Sequence, residues 1–221
     1  MLRDGSEKSK WASSWSWQED QIRVTLNGEV CKGLDDCCDR LKKLYKHLPE
    51  LAAVIQPRTE GEHAIVYADA VKVMSECVRA GVSAIFAAID AHPTFAETAV
   101  RPTLVTEKRD PRDALSPPEA SMGIPPETPE QGGMIVNITH DGSYVIKREF
   151  LTLEQVQNKL ASFASEQVRD EAGNSVRPIL VRADRITPFK PLLDVLRLCE
   201  REDIKIEKVE LAVLRPDPMQ R

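Results

Sequence analysis

The chain has 221 residues, of which 42% are hydrophobic and 29% are charged, values that are ordinary for a soluble globular protein. Its net charge of -5 and its 5% aromatic content argue against nucleic-acid binding, which draws on basic surfaces and on aromatic side chains that stack on bases. No window approaches the roughly 18 apolar residues of a membrane-spanning helix, and the polar N-terminus lacks the apolar core of a signal peptide. These properties fit a soluble protein, and equally the soluble fragment of an anchored one.

Residues 1–19 are polar and rich in serine, and we expect them to form a flexible tail. The first folded lobe is predicted over residues 20–92. It begins with residues 21–26, where apolar and polar side chains alternate as in a half-buried strand. The Asn-Gly pair at 27–28 then favours a tight hairpin turn.

Two helices are predicted in this first lobe. Apolar side chains recur at helical spacing over residues 34–48, and a short strand is predicted over 53–56. The apolar face of the second helix consists of Tyr67, Ala70, Val71, Met74 and Cys77. Gly81 ends this helix as a C-terminal glycine does, and residues 82–88 are predicted to form a return strand.

Residues 93–133 contain eight of the fifteen prolines and end in Gly132-Gly133. Because helices and central strands exclude most prolines, this segment is predicted to be an extended or disordered linker. It separates the first lobe from a second one over residues 134–214, and residues 215–221 form a C-terminal tail.

The second lobe opens with a predicted hairpin. Strands are expected over residues 134–139 and 143–147, joined by an Asp-Gly turn at 141–142. Thr152 and Gln155 then have the spacing of a capping box at the start of a helix. The apolar face of that helix consists of Leu153, Val156, Leu160 and Phe163.

A strand, a helix and a return strand complete this lobe. The strand is predicted over residues 178–182, and Thr187 and Pro188 are predicted as the N-cap and the first residue of the helix. The helix face consists of Phe189, Leu192, Leu193, Leu196 and Cys199. A return strand over 204–213 is expected to pair in parallel with the first, because a strand–helix–strand crossover of this length joins parallel neighbours.

The second helices of the two lobes match position for position, from Tyr67 and Phe189 to Cys77 and Cys199. We therefore predict an α+β protein made of two repeated β-β-α-β-α-β lobes, each a small mixed sheet with two helices, joined by the proline-rich linker. The repeat is interpreted as a tandem duplication.

The sequence contains no arrangement that favours catalysis or metal binding. The five cysteines cannot all pair within one chain, and their spacing matches no metal motif. Cys77 and Cys199 are predicted as small core residues, while a disulfide among Cys31, Cys37 and Cys38 is left open. Nucleotide-binding, serine hydrolase and zinc peptidase motifs are absent from the sequence. We therefore expect a non-enzymatic protein without a cofactor.

The second lobe resembles the periplasmic domain of the ExbD/TolR family of biopolymer-transport proteins. The resemblance covers residues 135–213 and depends most on Leu180-Val-Arg-Ala-Asp184 followed by Pro188-Phe189 and the helix. The Asp-Gly hairpin and the first helix fit as well. The first lobe looks like a diverged copy, with Gln56-Pro57-Arg58 where the second lobe has the charged motif.

This resemblance implies a component of a proton-motive-force-driven transport or envelope-maintenance complex. The implied partners are an ExbB/TolQ-like channel subunit and a TonB/TolA-like transducer. The implied location is the periplasm, with an inner-membrane anchor that this chain lacks and that is the only expected membrane contact. Because family members act as dimers, we expect either an intramolecular pseudo-dimer of the two lobes or a homodimer.

Arg182, Asp184, Arg185 and Phe189 are the candidate residues for contact with a partner, a second protomer or a ligand. The alternative for Arg182 and Asp184 is a local ion pair, or bonds from loop N–H groups to Asp184. The alternative function is a ligand-binding or regulatory adaptor without a motor role, with a cleft at the carboxyl ends of the parallel strands. Unrecognised enzymatic activity is the least favoured alternative.

Overall fold

The structure is a computed structural model that describes residues 10–18, 21–49, 52–57, 64–82, 84–87, 99–104, 117–118 and 133–214. Within these ranges the first half contains β1 (Lys10–Gln18), β2 (Gln21–Leu26), β3 (Glu29–Val30), α1 (Leu34–His47), β4 (Ala52–Gln56), α2 (Tyr67–Arg79) and β5 (Ala84–Ala87). Strand β6 (Ala99–Leu104) follows. The second half contains β7 (Met134–Ile138), β8 (Tyr144–Ile146), β9 (Glu149–Leu151), α3 (Leu153–Ser165), β10 (Ile179–Ala183), α4 (Phe189–Glu200) and β11 (Lys208–Val213).

All the described strands belong to one mixed sheet with the order β3-β2-β1-β4-β5-β6-β11-β10-β7-β8-β9. In the first half β1 is antiparallel to β2 and parallel to β4, which is parallel to β5. The second half repeats these relations, since β7 is antiparallel to β8 and parallel to β10, which is parallel to β11. The predicted α+β class is confirmed. That the two halves descend from one duplicated module stays a prediction.

Strand β6 lies between the two halves, inside the segment that was predicted to be an extended or disordered linker. It pairs in parallel with β11 along its whole length, whereas its described pairing with β5 is Phe86 opposite Ala99. The N–H of Ala99 points towards the β11 side and donates to Glu207 O at 2.7 Å. Because backbone groups alternate in direction along a strand, those of Val100 and Pro102 point towards the β5 side. Pro102 has no N–H to donate and lies beyond the described pairing with β5, where a proline costs no ladder bond.

The predicted flexible tail over residues 1–19 is wrong for Lys10–Gln18, which form β1. This strand lies between β2 and β4 and pairs with both of them. Its place in the first half corresponds to that of β7 in the second half. Strand β9 was also missed, because the turn before it is Lys147-Arg148, with φ of 50° and 71°, and neither residue is typical of such a turn.

The predicted capping box at the start of α3 is confirmed. The hydroxyl of Thr152 accepts the N–H of Gln155 at 3.3 Å, and the Gln155 side-chain oxygen accepts the N–H of Thr152 at 2.8 Å. Two N–H groups that have no partner within the helix are thereby satisfied.

Replacing Thr152 with alanine should lower the free energy of unfolding by about 1 kcal/mol, since one of these N–H groups loses its acceptor. Urea denaturation followed by circular dichroism measures this change. Ser162→Ala is the matched control, because Ser162 is exposed in the last turn of the same helix, away from the cap. Equal effects of the two substitutions would contradict a capping role for Thr152.

The buried apolar residues of both halves form one continuous cluster. Tyr67, at the start of α2, and Phe189, at the start of α4, are among its largest fully buried side chains. Cys77 and Cys199 lie in the same cluster, as predicted. The described part of the chain therefore has a single core, and the starts of α2 and α4 lie within it.

Candidate functional site

The candidate site is the loop between β10 and α4, where the charged motif predicted from the sequence lies. Arg182 is half-buried near the end of β10, which is flanked by β7 and β11. Asp184 follows the strand and is only 9% exposed. The loop thus begins within the sheet and not on a free edge.

Asp184 organises the loop through three hydrogen bonds. Its Oδ1 accepts the N–H of Ile186 at 3.1 Å, and its carbonyl oxygen accepts the N–H of Thr187 at 3.0 Å. Its own N–H donates to Ile138 O on β7 at 3.2 Å. These contacts match the local alternative stated for this carboxylate, which is to hold loop N–H groups before the helix.

The predicted cap of α4 is wrong. The N-cap position is Pro188, and its side chain makes no capping hydrogen bond. The hydroxyl of Thr187 instead donates to Thr139 O at 3.0 Å, in a buried position. The Thr187 side chain therefore does not cap α4 but bonds to the loop after β7.

The starts of α2 and α4 exchange backbone hydrogen bonds. The N–H of Tyr67 donates to Thr187 O at 2.8 Å, and the N–H of Phe189 donates to Ile65 O at 3.1 Å. Val66 and Pro188 form an antiparallel bridge between them. The first N–H groups of a helix have no acceptor within it, so each helix start supplies the acceptor that the other lacks. Neither helix has a side-chain cap, and this exchange replaces it.

Two further contacts strengthen this junction. The N–H of Ala68 donates to Arg185 O at 3.1 Å, and the hydroxyl of Tyr67 donates to Ala212 O on β11 at 3.2 Å. Tyr67 is fully buried, and burial holds the pKa of its hydroxyl above the ordinary value of 10.0. The backbone of the candidate loop is therefore held by the first half of the chain.

The structure separates the four candidate residues into surface and interior. Phe189 is 0% exposed and lies in the core, so in this conformation it is not a surface contact residue. Asp184 is buried, Arg182 is half-buried and Arg185 is exposed. The sequence analysis missed Ile186, which is 57% exposed beside Arg185. The sequence signal that could have identified this position is an isoleucine between the polar residues Arg185 and Thr187.

A groove of about 530 Å³ lies elsewhere on the second half, along the end of α4 and the segment before β11. Its lining includes Glu200, Glu202 and Glu207, with Lys205. Its lining includes neither Arg182 nor Asp184, so it is not the ligand-binding cleft expected at the carboxyl ends of the parallel strands. Among the described residues, no group of histidine, cysteine, aspartate and glutamate side chains is arranged to hold a metal ion.

The described cysteines are all free and buried. Burial raises the pKa of the Cys77 thiol from 9.0 to about 12 and also raises the pKa of Cys199. The unfolded chain loses these protons near pH 9, whereas the folded chain retains them. Their contribution to stability is therefore complete below pH 9 and is lost as the pH rises above it.

Raising the pH from about 8 to about 10.5 under reducing conditions should cost about 2 kcal/mol for each of these two thiols. Urea midpoints across this range measure the loss. Above pH 9.5, the unfolding free energy of Cys199→Ala should decline less steeply than that of the wild type, by about 1.4 kcal/mol per pH unit. This difference in slope does not depend on the stability of the variant at neutral pH. An unchanged slope would contradict a buried, protonated Cys199 thiol.

Comparison with family models identifies one match: the model of the biopolymer transport protein ExbD/TolR covers residues 102–215. This span is just over half of the chain and contains the end of β6 and every element from β7 to β11. Comparison with curated proteins and with solved structures gives no significant match. Within the described residues, no helix has the length and apolar character needed to cross a membrane.

Proposed function

Because this chain belongs to the ExbD/TolR family of biopolymer transport proteins, we propose that it acts in the periplasm as part of a proton-motive-force-driven transport or envelope-maintenance complex. The observation that carries the proposal is the match across the complete second half. The family is a non-enzymatic transport component that works with ExbB/TolQ and TonB/TolA proteins. We propose that this chain likewise acts by binding a channel subunit and a transducer, as an inner-membrane-anchored component.

We also propose that the first half takes the place of a second protomer. The reciprocal bonds between the starts of α2 and α4 support this pseudo-dimer, because each half donates one N–H and accepts another in equivalent positions. The two edge strands, β3 and β9, are only two and three residues long, which disfavours sheet extension between copies.

Light scattering coupled to size exclusion tests the pseudo-dimer. We expect the mass of one chain, 24.7 kDa. A stable dimer built through the α2 and α4 starts would overturn this part of the proposal. The control is Tyr67→Phe, which keeps the buried ring, removes only the hydroxyl bond to Ala212 O and should leave the mass of a monomeric chain unchanged.

The surface formed by Arg185 and Ile186 is the proposed contact with the transducer. Both side chains are exposed, while the backbone beneath them is fixed by Asp184 and by the N–H of Ala68. A rigid loop that presents one cation and one apolar side chain loses little conformational entropy on binding. The partly exposed Arg182, near the end of β10 and just before this loop, stays a candidate.

Site-specific photo-crosslinking in cells tests this contact. A photoreactive residue at position 185 should crosslink to a TonB/TolA-like protein, and Arg185→Glu should weaken binding of the purified transducer about tenfold. Arg177→Glu is the matched control, since Arg177 is an exposed arginine outside the loop. Equal loss of binding in both variants would overturn the assignment of the loop.

Fractionation of cells, with mass spectrometry of the native N-terminus, tests the compartment. We expect the protein in the inner-membrane fraction with its folded part accessible from the periplasm. Recovery from the cytosol would overturn the transport role and favour the adaptor alternative. That alternative predicts binding of an anionic ligand that is lost in Arg182→Ala.

A further inference from the structure

The sheet has two faces, and the described helices pack on one of them. Side chains alternate between the two faces along a strand, so Val209 and Leu211 of β11 lie on one face and Glu210 and Ala212 on the other. Val209 and Leu211 belong to the core cluster that contains apolar residues of all four helices, whereas Ala212, although buried, does not. The face of Glu210 and Ala212, called the second face below, therefore has no helix on it within the described part of the chain.

Residues on the second face are buried all the same. Glu210 is 6% exposed, and Ala212 and its neighbour on β6, Thr103, are both 0% exposed. A sheet face without a second layer is open to solvent, and a long glutamate side chain on it would be largely exposed. The burial of Glu210 therefore indicates that another part of the molecule lies over β6 and β11.

The connection from β6 to β7 has to cross one face of the sheet. Strands β6, β11, β10 and β7 all run in the same direction, so the chain leaves β6 at one end of the sheet and enters β7 at the other. Crossovers between parallel strands are right-handed in about 98% of cases. The β10–α4–β11 crossover moves across the sheet towards β6 on the helix face, whereas the connection from β6 to β7 moves in the opposite direction. A right-handed connection therefore runs over the second face.

The structure describes one short part of this connection, Pro117-Pro118. Both prolines are buried, and Pro118 O accepts the N–H of Leu214, just after β11, at 3.0 Å. Residues 119–132, which lie outside the described part of the structure, thus begin beside the end of β11 and lead to Met134 at the start of β7. A chain of this length can extend over roughly 45 Å. The diagonal across three strands of five or six residues is only about 20–25 Å, so the segment is long enough.

The composition of residues 119–132 is complementary to the second face. The segment contains three glutamates and no lysine or arginine, and its large apolar side chains are Met122 and Ile124. The charged residues that β6, β10 and β11 place on the second face are Arg101, Arg182, Lys208 and Glu210. Cations outnumber anions by three to one in this set, so the field of the face favours an acidic segment. The half-buried Leu180 lies on the same face and offers an apolar contact.

We propose that residues 119–132 bind to the second face, crossing β11 and β10 on their way from Pro118 to β7. The occupant of this face is thus a segment of the same chain, held by its glutamates and its two large apolar side chains. The segment predicted from its prolines to be a linker is then part of the packing of the fold. This inference uses only topology, burial and charge, and it does not rest on the proposed function.

Thiol labelling of the full-length protein tests whether the segment covers the face. Ala212→Cys introduces a thiol on the second face, next to the end of β11 where the segment begins. With the native segment, this thiol should resist a maleimide. With residues 119–132 replaced by a Gly-Ser sequence of equal length, it should react at least about tenfold faster. Equal rates in the two proteins would overturn the proposal.

The five native cysteines are the internal control for this experiment. All are buried in the core cluster, so they react only if a variant unfolds. Labelling of position 212 alone therefore reports on the cover of the second face, and labelling of the native cysteines as well reports unfolding. In that second case the decision passes to a measurement on the unshortened, native segment.

Photo-crosslinking supplies that measurement. A photoreactive residue at position 124 should crosslink within one chain to β10 or β11, in tryptic peptides 170–182 and 209–221. The same residue at position 154, exposed in the first turn of α3, is the matched control and should crosslink to neither strand. A crosslink from position 124 to the α4 peptide 186–197, a crosslink between two chains, or none at all would overturn the proposal. Each of these results leaves the family-based function untouched.

Discussion

Replacing Phe189 with alanine is expected to lower the free energy of unfolding by about 3–5 kcal/mol. Phe189 is 0% exposed at the start of α4, and its removal leaves a cavity in the core that both halves share. Urea denaturation followed by circular dichroism measures the loss. The matched control is Ile186→Ala, three residues earlier and 57% exposed, which should change stability by less than about 0.5 kcal/mol.

This experiment also decides whether Phe189 contacts a partner, as the sequence-based interpretation had it. A core role predicts that the variant loses stability and that any loss of partner binding follows from unfolding. Normal stability with loss of binding to a TonB/TolA-like transducer would show instead that Phe189 acts at the surface, in a conformation different from this one.

Replacing Tyr67 with alanine is expected to destabilise both halves together, again by about 3–5 kcal/mol. Tyr67 belongs to the first half, yet its hydroxyl donates to Ala212 O on β11 and its N–H donates to Thr187 O. Tyr67→Phe removes only the hydroxyl and should cost about 1 kcal/mol, the net value of one neutral hydrogen bond.

The tryptophans make the coupling of the two halves measurable. All three, Trp11, Trp15 and Trp17, belong to β1, so tryptophan fluorescence reports on the first half, while circular dichroism reports on both. In the wild type and in Tyr67→Ala, the two signals should give one shared midpoint, as in a two-state transition. Fluorescence that shifts while part of the circular dichroism transition stays in place would show that the halves fold independently.

Local sequence patterns were sufficient for most of the helices and hairpins. The 3.6-residue spacing of apolar side chains placed α1, α2, α3 and α4 within one or two residues of their ends. The Asn27-Gly28 turn, with φ of 52° and 79°, and the capping box at Thr152 were equally visible. These features depend on residues close together in the chain, and such residues are compared directly in a sequence.

Strands whose order depends on distant partners were not visible in this way. Strand β1 lies in a serine-rich segment and β6 in a proline-rich one, and these compositions favoured a tail and a linker although apolar and polar residues alternate over 14–18 and 100–104. Both exist because their backbones complete ladders with β4 and β11, respectively. Main-chain hydrogen bonds require no particular side chain, and the pairing therefore leaves only a weak signal in the sequence.

In the candidate site too, local features were visible in the sequence, whereas contacts between distant residues were not. The sequence by itself determined the family, the motif Arg182-Ala183-Asp184 and the helix that follows it. Only the tertiary structure decided that Phe189 is interior, that Thr187 bonds to Thr139 O, and that the loop carbonyls accept N–H groups from the first half. The physical reason is that unsatisfied N–H groups at a helix start take whichever acceptor the fold brings near, and that choice depends on residues more than a hundred positions away.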